Sequence, residues 1–216
     1  MSVKKNLDLI VIDKLKDCII NGEWVPGQQL FIDEIAEKYE ISRTPIIQAV
    51  KAMSVEGMLT LTNNGKVVVP KFTREQIYDI CAVRLLLEKF AIKQICSNES
   101  IRITELTQIA DRCACTLIEG KIAESRKLDM LFHKQLVKCG GNECLDSVYV
   151  KVQGQFEVSS YLIAPHGEDQ QSIAVNEHFQ LLRTLKVYDY KAAEEVIDFH
   201  INTAAEKIVN RLSDRV

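Results

Sequence analysis

Three of the four prolines in this 216-residue chain, and its clearest turn signals, fall in the first third. Pro26-Gly27, Pro45, Asn63-Asn64-Gly65 and Pro70 punctuate that stretch, and after Pro70 the only proline is Pro165. A proline inside a helix removes a hydrogen bond, and Asn-Gly pairs favour turns. The chain therefore changes character near residue 72. Residues 1–72 read as short elements joined by turns, and residues 73–216 as a run of long helices. Two units are expected, divided there.

In the first unit, Leu7, Ile10, Val11, Leu15, Cys18 and Ile19 recur at helical spacing and predict an amphipathic helix ended by Gly22. A short helix over 33–39 should bury Ile35 and Ala36. Ser42 then stands as an N-cap whose hydroxyl can take an orphan amide, with Pro45 in the first turn of the next helix. Ile46, Ala49, Val50 and Met53 form that helix's buried stripe. Leu59-Thr-Leu-Thr and Lys66-Val-Val-Val flank Asn63-Asn64-Gly65, a hairpin signal in which both residues of the Asn-Gly turn tolerate positive φ. Three helices followed by a hairpin is the plan of a winged helix-turn-helix.

The second unit opens on Thr73-Arg-Glu-Gln76, a capping box, and its first helix runs to about Cys96. Further helices are predicted over 99–118, 121–139, 143–163, 170–187 and 190–212, with breaks at Gly120, Gly140-Gly141 and Pro165-His-Gly. No strand-like alternation appears. The fold class is mostly α, a winged helix-turn-helix followed by an antiparallel helical bundle.

Composition excludes several classes. No apolar run approaches the roughly 20 residues that span a bilayer, and Asp8 interrupts any signal-peptide core, so a cytoplasmic protein without membrane contact is expected. The seven scattered cysteines suit free thiols in a reducing compartment, and Cys113-Ala-Cys115 reads as buried apolar cysteine rather than half a metal site. Lys and Arg balance Asp and Glu through Lys71, nine of each, so any nucleic-acid contact must come from a local basic face.

The ordered set Gly22-Glu-Trp-Val-Pro26-Gly27-Gln-Gln-Leu30, Ile35-Ala36, Ile41-Ser42-Arg43-Thr44-Pro45 and Glu56-Gly57-Met58-Leu59 resembles the GntR family of transcription regulators. The resemblance implies that the helix after Ser42 enters the major groove of double-stranded DNA by its N-terminus. Arg43 is the candidate for a bidentate guanine contact, with pairing to a nearby carboxylate as its plainer role. Ser42 and Thr44 are candidates for phosphate or base-edge contacts, and Gly65 and Lys66 at the hairpin tip for the adjacent groove. One departure matters: the family's usual P-V-R-E-A-L is here Pro45-Ile-Ile-Gln-Ala-Val50. Ile47, expected to be exposed, could pack on a thymine methyl, and Gln48 could read adenine.

Leu128-Asp129-Met-Leu-Phe-His133 places a carboxylate and an imidazole four residues apart, on one helix face. Together with Glu177-His178, Asp198-Phe-His200 and Gly141-Asn142-Glu-Cys-Leu145, this resembles the FCD sensing domain of the FadR-type branch of GntR regulators. The resemblance implies one divalent transition metal (Zn, Ni, Fe or Mn) held by Asp129, His133, His178 and His200. It also implies a small organic acid as effector, a homodimer, and a pseudo-palindromic operator. Arg84 is a candidate effector contact or an i, i+4 partner of Glu88, and Arg183 is a further possible anion contact. His166 reads as solvent-exposed. Two rival readings are a regulator for which the metal itself is the signal, and a metal-dependent enzyme built in a bundle. The enzyme reading lacks a Glu-x-x-His pair, a phosphate loop and a Gly-x-Ser-x-Gly, and leaves the helix-turn-helix unexplained.

Overall fold

The computed structural model describes the backbone of residues 2–163 and 168–213, and the side chains of 10–163 and 171–212. Among these residues the chain forms nine helices and three short strands, mostly α as expected. Helix α1 (Ser2–Ile20) buries Val11, Leu15, Cys18 and Ile19. Ile10 lies at the shoulder of that stripe and is exposed, contrary to its assignment to the buried face.

Strand β1 (Gln29–Leu30), which the pattern did not reveal, precedes α2 (Ile32–Tyr39) and α3 (Arg43–Val55). The turn from α2 to α3 is only Glu40-Ile41-Ser42. Glu40 sits at φ 53°, ψ 36°, and the Ile41 amide donates back to the Ala36 carbonyl at 3.0 Å. That left-handed closure is usually a glycine's task. Ser42 occupies the N-cap with extended backbone, but its hydroxyl makes no cap hydrogen bond. The expected cap is therefore only positional, and the hydroxyl stays exposed at the helix end.

Strands β2 (Thr60–Leu61) and β3 (Val67–Val68) form the hairpin, and β1 joins the far edge of β3 to give the antiparallel order β1-β3-β2. The hairpin turn differs from expectation. Of its loop residues only Gly65 has positive φ, 78°, and the Gly65 amide donates to the Thr62 carbonyl at 2.9 Å. Residues 62–66 connect the strands, and the Thr62 amide donates to the Lys66 carbonyl at 2.9 Å, so a single left-handed position within 63–65 closes the loop.

Helix α4 (Arg74–Ser97) begins with the expected capping box: Gln76 N donates to Thr73 Oγ1 at 3.2 Å and Thr73 N to Gln76 Oε1 at 2.9 Å. The remaining helices are α5 (Thr104–Ile118), α6 (Ile122–Cys139), α7 (Glu143–Ile163), α8 (Glu168–Lys186) and α9 (Tyr190–Ser213). Helix α5 starts later than predicted because the Asn98 side chain captures the Ser100 amide at 3.0 Å, folding residues 98–100 into a local turn. Within α5, Cys113 is buried but Cys115 is exposed. Residues two apart on a helix face different sides, so the two thiols could not both be core. His166 lies outside the described residues.

Helix α4 packs along α9 and against α6 and α7, while α5 pairs with α6 and α8. One continuous apolar cluster runs from α1 through the bundle to α9. The two halves also meet directly. A side chain on Gly154 of α7 would place its Cβ 1.9 Å from the Glu56 carbonyl oxygen, at the C-terminal end of α3. Only a glycine admits that approach. Lys127 of α6 pairs with Asp17 of α1 at 3.0 Å across the same junction.

Candidate metal centre and DNA-reading face

Asp129 and His133 lie one turn apart on α6, His178 on α8 and His200 on α9, so three helices point ligand atoms at one place in the bundle. One donor atom from each lies within 4.8 Å of all the others, and all four residues are buried. His133 Nε2 is 3.0 Å from His200 Nε2 and 3.2 Å from His178 Nε2. Asp129 Oδ1 lies 3.4 Å from His178 Nε2 and has no hydrogen-bond partner.

Carboxylates fix two of the rings from behind. Glu88 Oε2 accepts from His133 Nδ1 at 2.8 Å, and Glu177 Oε2 accepts from His200 Nδ1 at 2.6 Å. A neutral imidazole that donates through Nδ1 carries a bare lone pair on Nε2. The Nε2 atom of His133 therefore presents a lone pair toward the Nε2 atoms of His200 and His178, where a cation would be shared among the three. Around a metal with bonds of about 2.1 Å, neighbouring nitrogens lie about 3.0 Å apart at right angles and about 3.4 Å apart at tetrahedral angles. The observed separations fall in that range, so the donor set fits a divalent transition metal.

Electrostatics agrees. Burial, then the charge of Arg84, holds His133 below the usual imidazole value, and burial with its two neighbouring imidazoles holds His178 well below it. Both rings are thus neutral, the form that binds metal. The His178 ring stacks on Phe132 with centroids 4.0 Å apart. Burial opposes ionisation of Glu88, but its contacts with His133 and Arg84 outweigh it and hold its carboxyl below the usual carboxylate range.

Arg84 realises its plainer role and also meets the site. Its Nε donates to Glu88 Oε1 at 2.7 Å, and the Tyr149 hydroxyl donates to the same oxygen at 2.6 Å. Arg84 Nη2 is buried without a partner, and the residue lines a cavity of about 40 Å³ with Asp129, Glu177, His200, Arg126, Ser160, Gln171 and Lys207. Arg183 is exposed on the last turn of α8 and does not line that cavity.

Sequence reasoning missed Glu177 as a partner of His200, because a separation of 23 residues hides the pairing. Arg126 was legible: it lies three residues before Asp129, on the same helix face. Lys207 lies seven after His200, two turns along α9.

On the other unit, Arg43, Thr44 and Gln48 are exposed along the N-terminal half of α3, with Ser42 ahead of them and Lys51 one turn beyond. Arg43 Nε pairs with Asp33 Oδ1 at 3.0 Å, with both side chains about two-thirds exposed or more (67% and 72%). So exposed a pair contributes at most about 1 kcal/mol and is readily exchanged. Ile47 is half-buried rather than exposed, since it lies next to the stripe of Ile46 and Val50. Gly65 and Lys66 are exposed at the hairpin tip.

Comparison with known proteins fits both halves. The model for bacterial regulatory proteins of the gntR family matches residues 8–69, and that for the FCD domain matches residues 79–203. An uncharacterized HTH-type transcriptional regulator, YdhC of Bacillus subtilis, is 21% identical over 94% of this chain and 91% of its own length. The gluconate operon transcriptional repressor of Bacillus licheniformis is 29% identical over 58% of this chain and 51% of its own. Among solved structures, E. coli McbR/YncC superposes with a TM-score of 0.77 at 18% identity, covering 95% of this chain and 98% of that one. That superposition shows the shared fold. No described helix is long and apolar enough to cross a membrane. The families and relatives matched are regulators, not enzymes, and this chain belongs to the GntR family of DNA-binding transcription regulators, with an FCD domain as its C-terminal part.

Proposed function

We propose that this chain acts as a cytoplasmic homodimer on a pseudo-palindromic operator in double-stranded DNA, and that a small organic acid bound at a metal in the helical unit sets its operator affinity. The two units divide at residues 72–73. The single observation that carries the sensing half is the convergence of three imidazole Nε2 atoms, 3.0 and 3.2 Å apart, beside the unpartnered Asp129 Oδ1. Asp129, His133, His178 and His200 are the ligands, and the metal is Zn, Ni, Fe or Mn. When bound, the metal supplies an electrophilic centre with room for a carboxylate.

Arg84, with one buried nitrogen unpaired, faces the same cavity and supplies a donor for the acid. A gluconate operon repressor among the relatives supports an acid as the signal. At the reading head, Ser42, Arg43, Thr44, Ile47 and Gln48 meet the major groove, and Gly65 and Lys66 the neighbouring groove or its phosphates. Acid binding favours one arrangement of the reading heads over another, and operator affinity changes by the acid's differential affinity for the two.

Metal analysis of untagged protein, followed by operator titration with and without chelator, tests this. The expected result is about one metal per chain, and an acid response lost on chelation. Metal-free protein after metal-replete expression would overturn the metal centre. An operator response to metal alone, indifferent to acids, would make the metal the signal.

A further inference from the structure

Two of the cations that line the cavity beside the histidines, Arg126 and Lys207, are paired by no carboxylate among the described residues. Three cations line it: Arg84 from α4, Arg126 from α6 and Lys207 from α9. Arg84 is paired with Glu88 through Nε, but its Nη2 is buried without a partner. Arg126 donates to the Ser160 hydroxyl at 3.2 Å and lies 4.1 Å over the Tyr161 ring; among the described residues no carboxylate pairs it at ion-pair distance, Asp129 and Glu157 acting on it from further off. Among the described residues, Lys207 makes no ion pair either, although it is half-buried. Of the cavity's two carboxylates, Glu177 is committed to His200 and Asp129 belongs to the ligand set. Half-buried cations without counter-charges are costly unless a ligand brings the charge.

Resting on the reading of this cavity as an acid site, we infer that its acid carries two anionic groups. One meets the metal and Arg84; the other is held between Arg126 and Lys207, which reach the cavity from different helices. A monoacid would satisfy the first position and leave Arg126 and Lys207 unpaired. The cavity of about 40 Å³ holds roughly one water. A ligand enters by displacing the long side chains of Arg126 and Lys207, which favours short diacids over bulky ones.

Calorimetric titration of the metal-loaded full chain with carbon-matched pairs, succinate against butyrate and malonate against propionate, tests this at matched ionic strength. Each diacid should bind at least about tenfold more tightly than its monoacid, the increment of a charge-assisted contact. Arg126→Gln and Lys207→Gln should each lower succinate affinity about tenfold while leaving butyrate affinity and metal content unchanged. Arg126→Lys, which keeps the charge but alters the packing on Tyr161, should retain most of the preference. Equal affinity for the paired acids overturns the inference, as does a preference indifferent to both Gln variants or an equal loss of both acids. Failure of every acid to bind the metal-loaded wild type instead overturns the acid site itself.

Discussion

Glu88 Oε2 accepts a hydrogen bond from His133 Nδ1 at 2.8 Å, and both side chains are wholly buried. Through its other oxygen Glu88 accepts from Arg84 and Tyr149. One carboxylate thus fixes the tautomer of a histidine of the candidate metal centre and anchors the arginine of the adjoining cavity. Partners of this kind orient ligand imidazoles and raise their basicity.

Glu88→Gln should lower metal affinity by about ten- to a hundredfold, the usual cost of losing such a partner. Competition with a chelator of known affinity measures it. The neutral amide also leaves Arg84 buried without its counter-charge, so thermal stability should fall as well. Unchanged metal affinity would show that His133 needs no carboxylate behind it.

Arg43→Ala should abolish specific operator binding without disturbing the fold, because a bidentate base contact contributes about 1–3 kcal/mol. The Asp33 pair it gives up is too exposed to stabilise α3. Gel shifts against specific and scrambled duplexes, with circular dichroism as the control, check both halves. Retained discrimination would remove Arg43 from the reading set.

Ile47→Arg tests the departure from the family pattern. From a half-buried position the arginine stem can lie along the apolar stripe while its head reaches outward. Site selection should then move toward operators of relatives that carry arginine there. If a phosphate is met, the slope of log affinity against log salt should steepen by about 0.9. An unchanged slope together with unchanged site selection would show that position 47 does not face DNA.

Glu40→Gly should stabilise the reading head. Glu40 holds φ 53° at the end of α2, and a non-glycine residue in that region costs about 1–2 kcal/mol. Part of the relief is offset by glycine's greater freedom in the unfolded chain, so a gain of about 0.5–1 kcal/mol is expected in denaturant unfolding. Loss of stability would mean that the Glu40 side chain contributes more than its backbone costs.

The periodic features of this chain were legible because they are local. The spacing from Asp129 to His133, the capping box at Thr73 and the buried stripe of α3 each lie within a few turns of one helix. What escaped was set by partners distant in sequence. Strand β1, two residues long, exists because β3 offers it an edge. Glu177 looks like a solvated neighbour of His178 until α9 brings His200 beside it. Ile47 lies at the border of the stripe, where helical spacing assigns no definite side. The Asn-Gly signal located the hairpin correctly, yet the loop length chose the turn.

The approach of Gly154 to the Glu56 carbonyl has a consequence for how information passes between the units. Helix α7 carries Tyr149, which holds Glu88, and Phe156 and Ser160, which line the cavity proposed for the acid; on another face Gly154 abuts the end of α3, the helix proposed to read DNA. One rigid rod therefore forms a wall of both compartments, with no spacer to absorb a displacement. Coupling through such a rod is reciprocal: whatever factor the acid imposes on operator affinity, the operator imposes on the acid. If the acid sets operator affinity as proposed, the protein seated on its operator and the same protein free in solution hold the acid with different strengths, and a bound promoter reports a different threshold from the unbound pool.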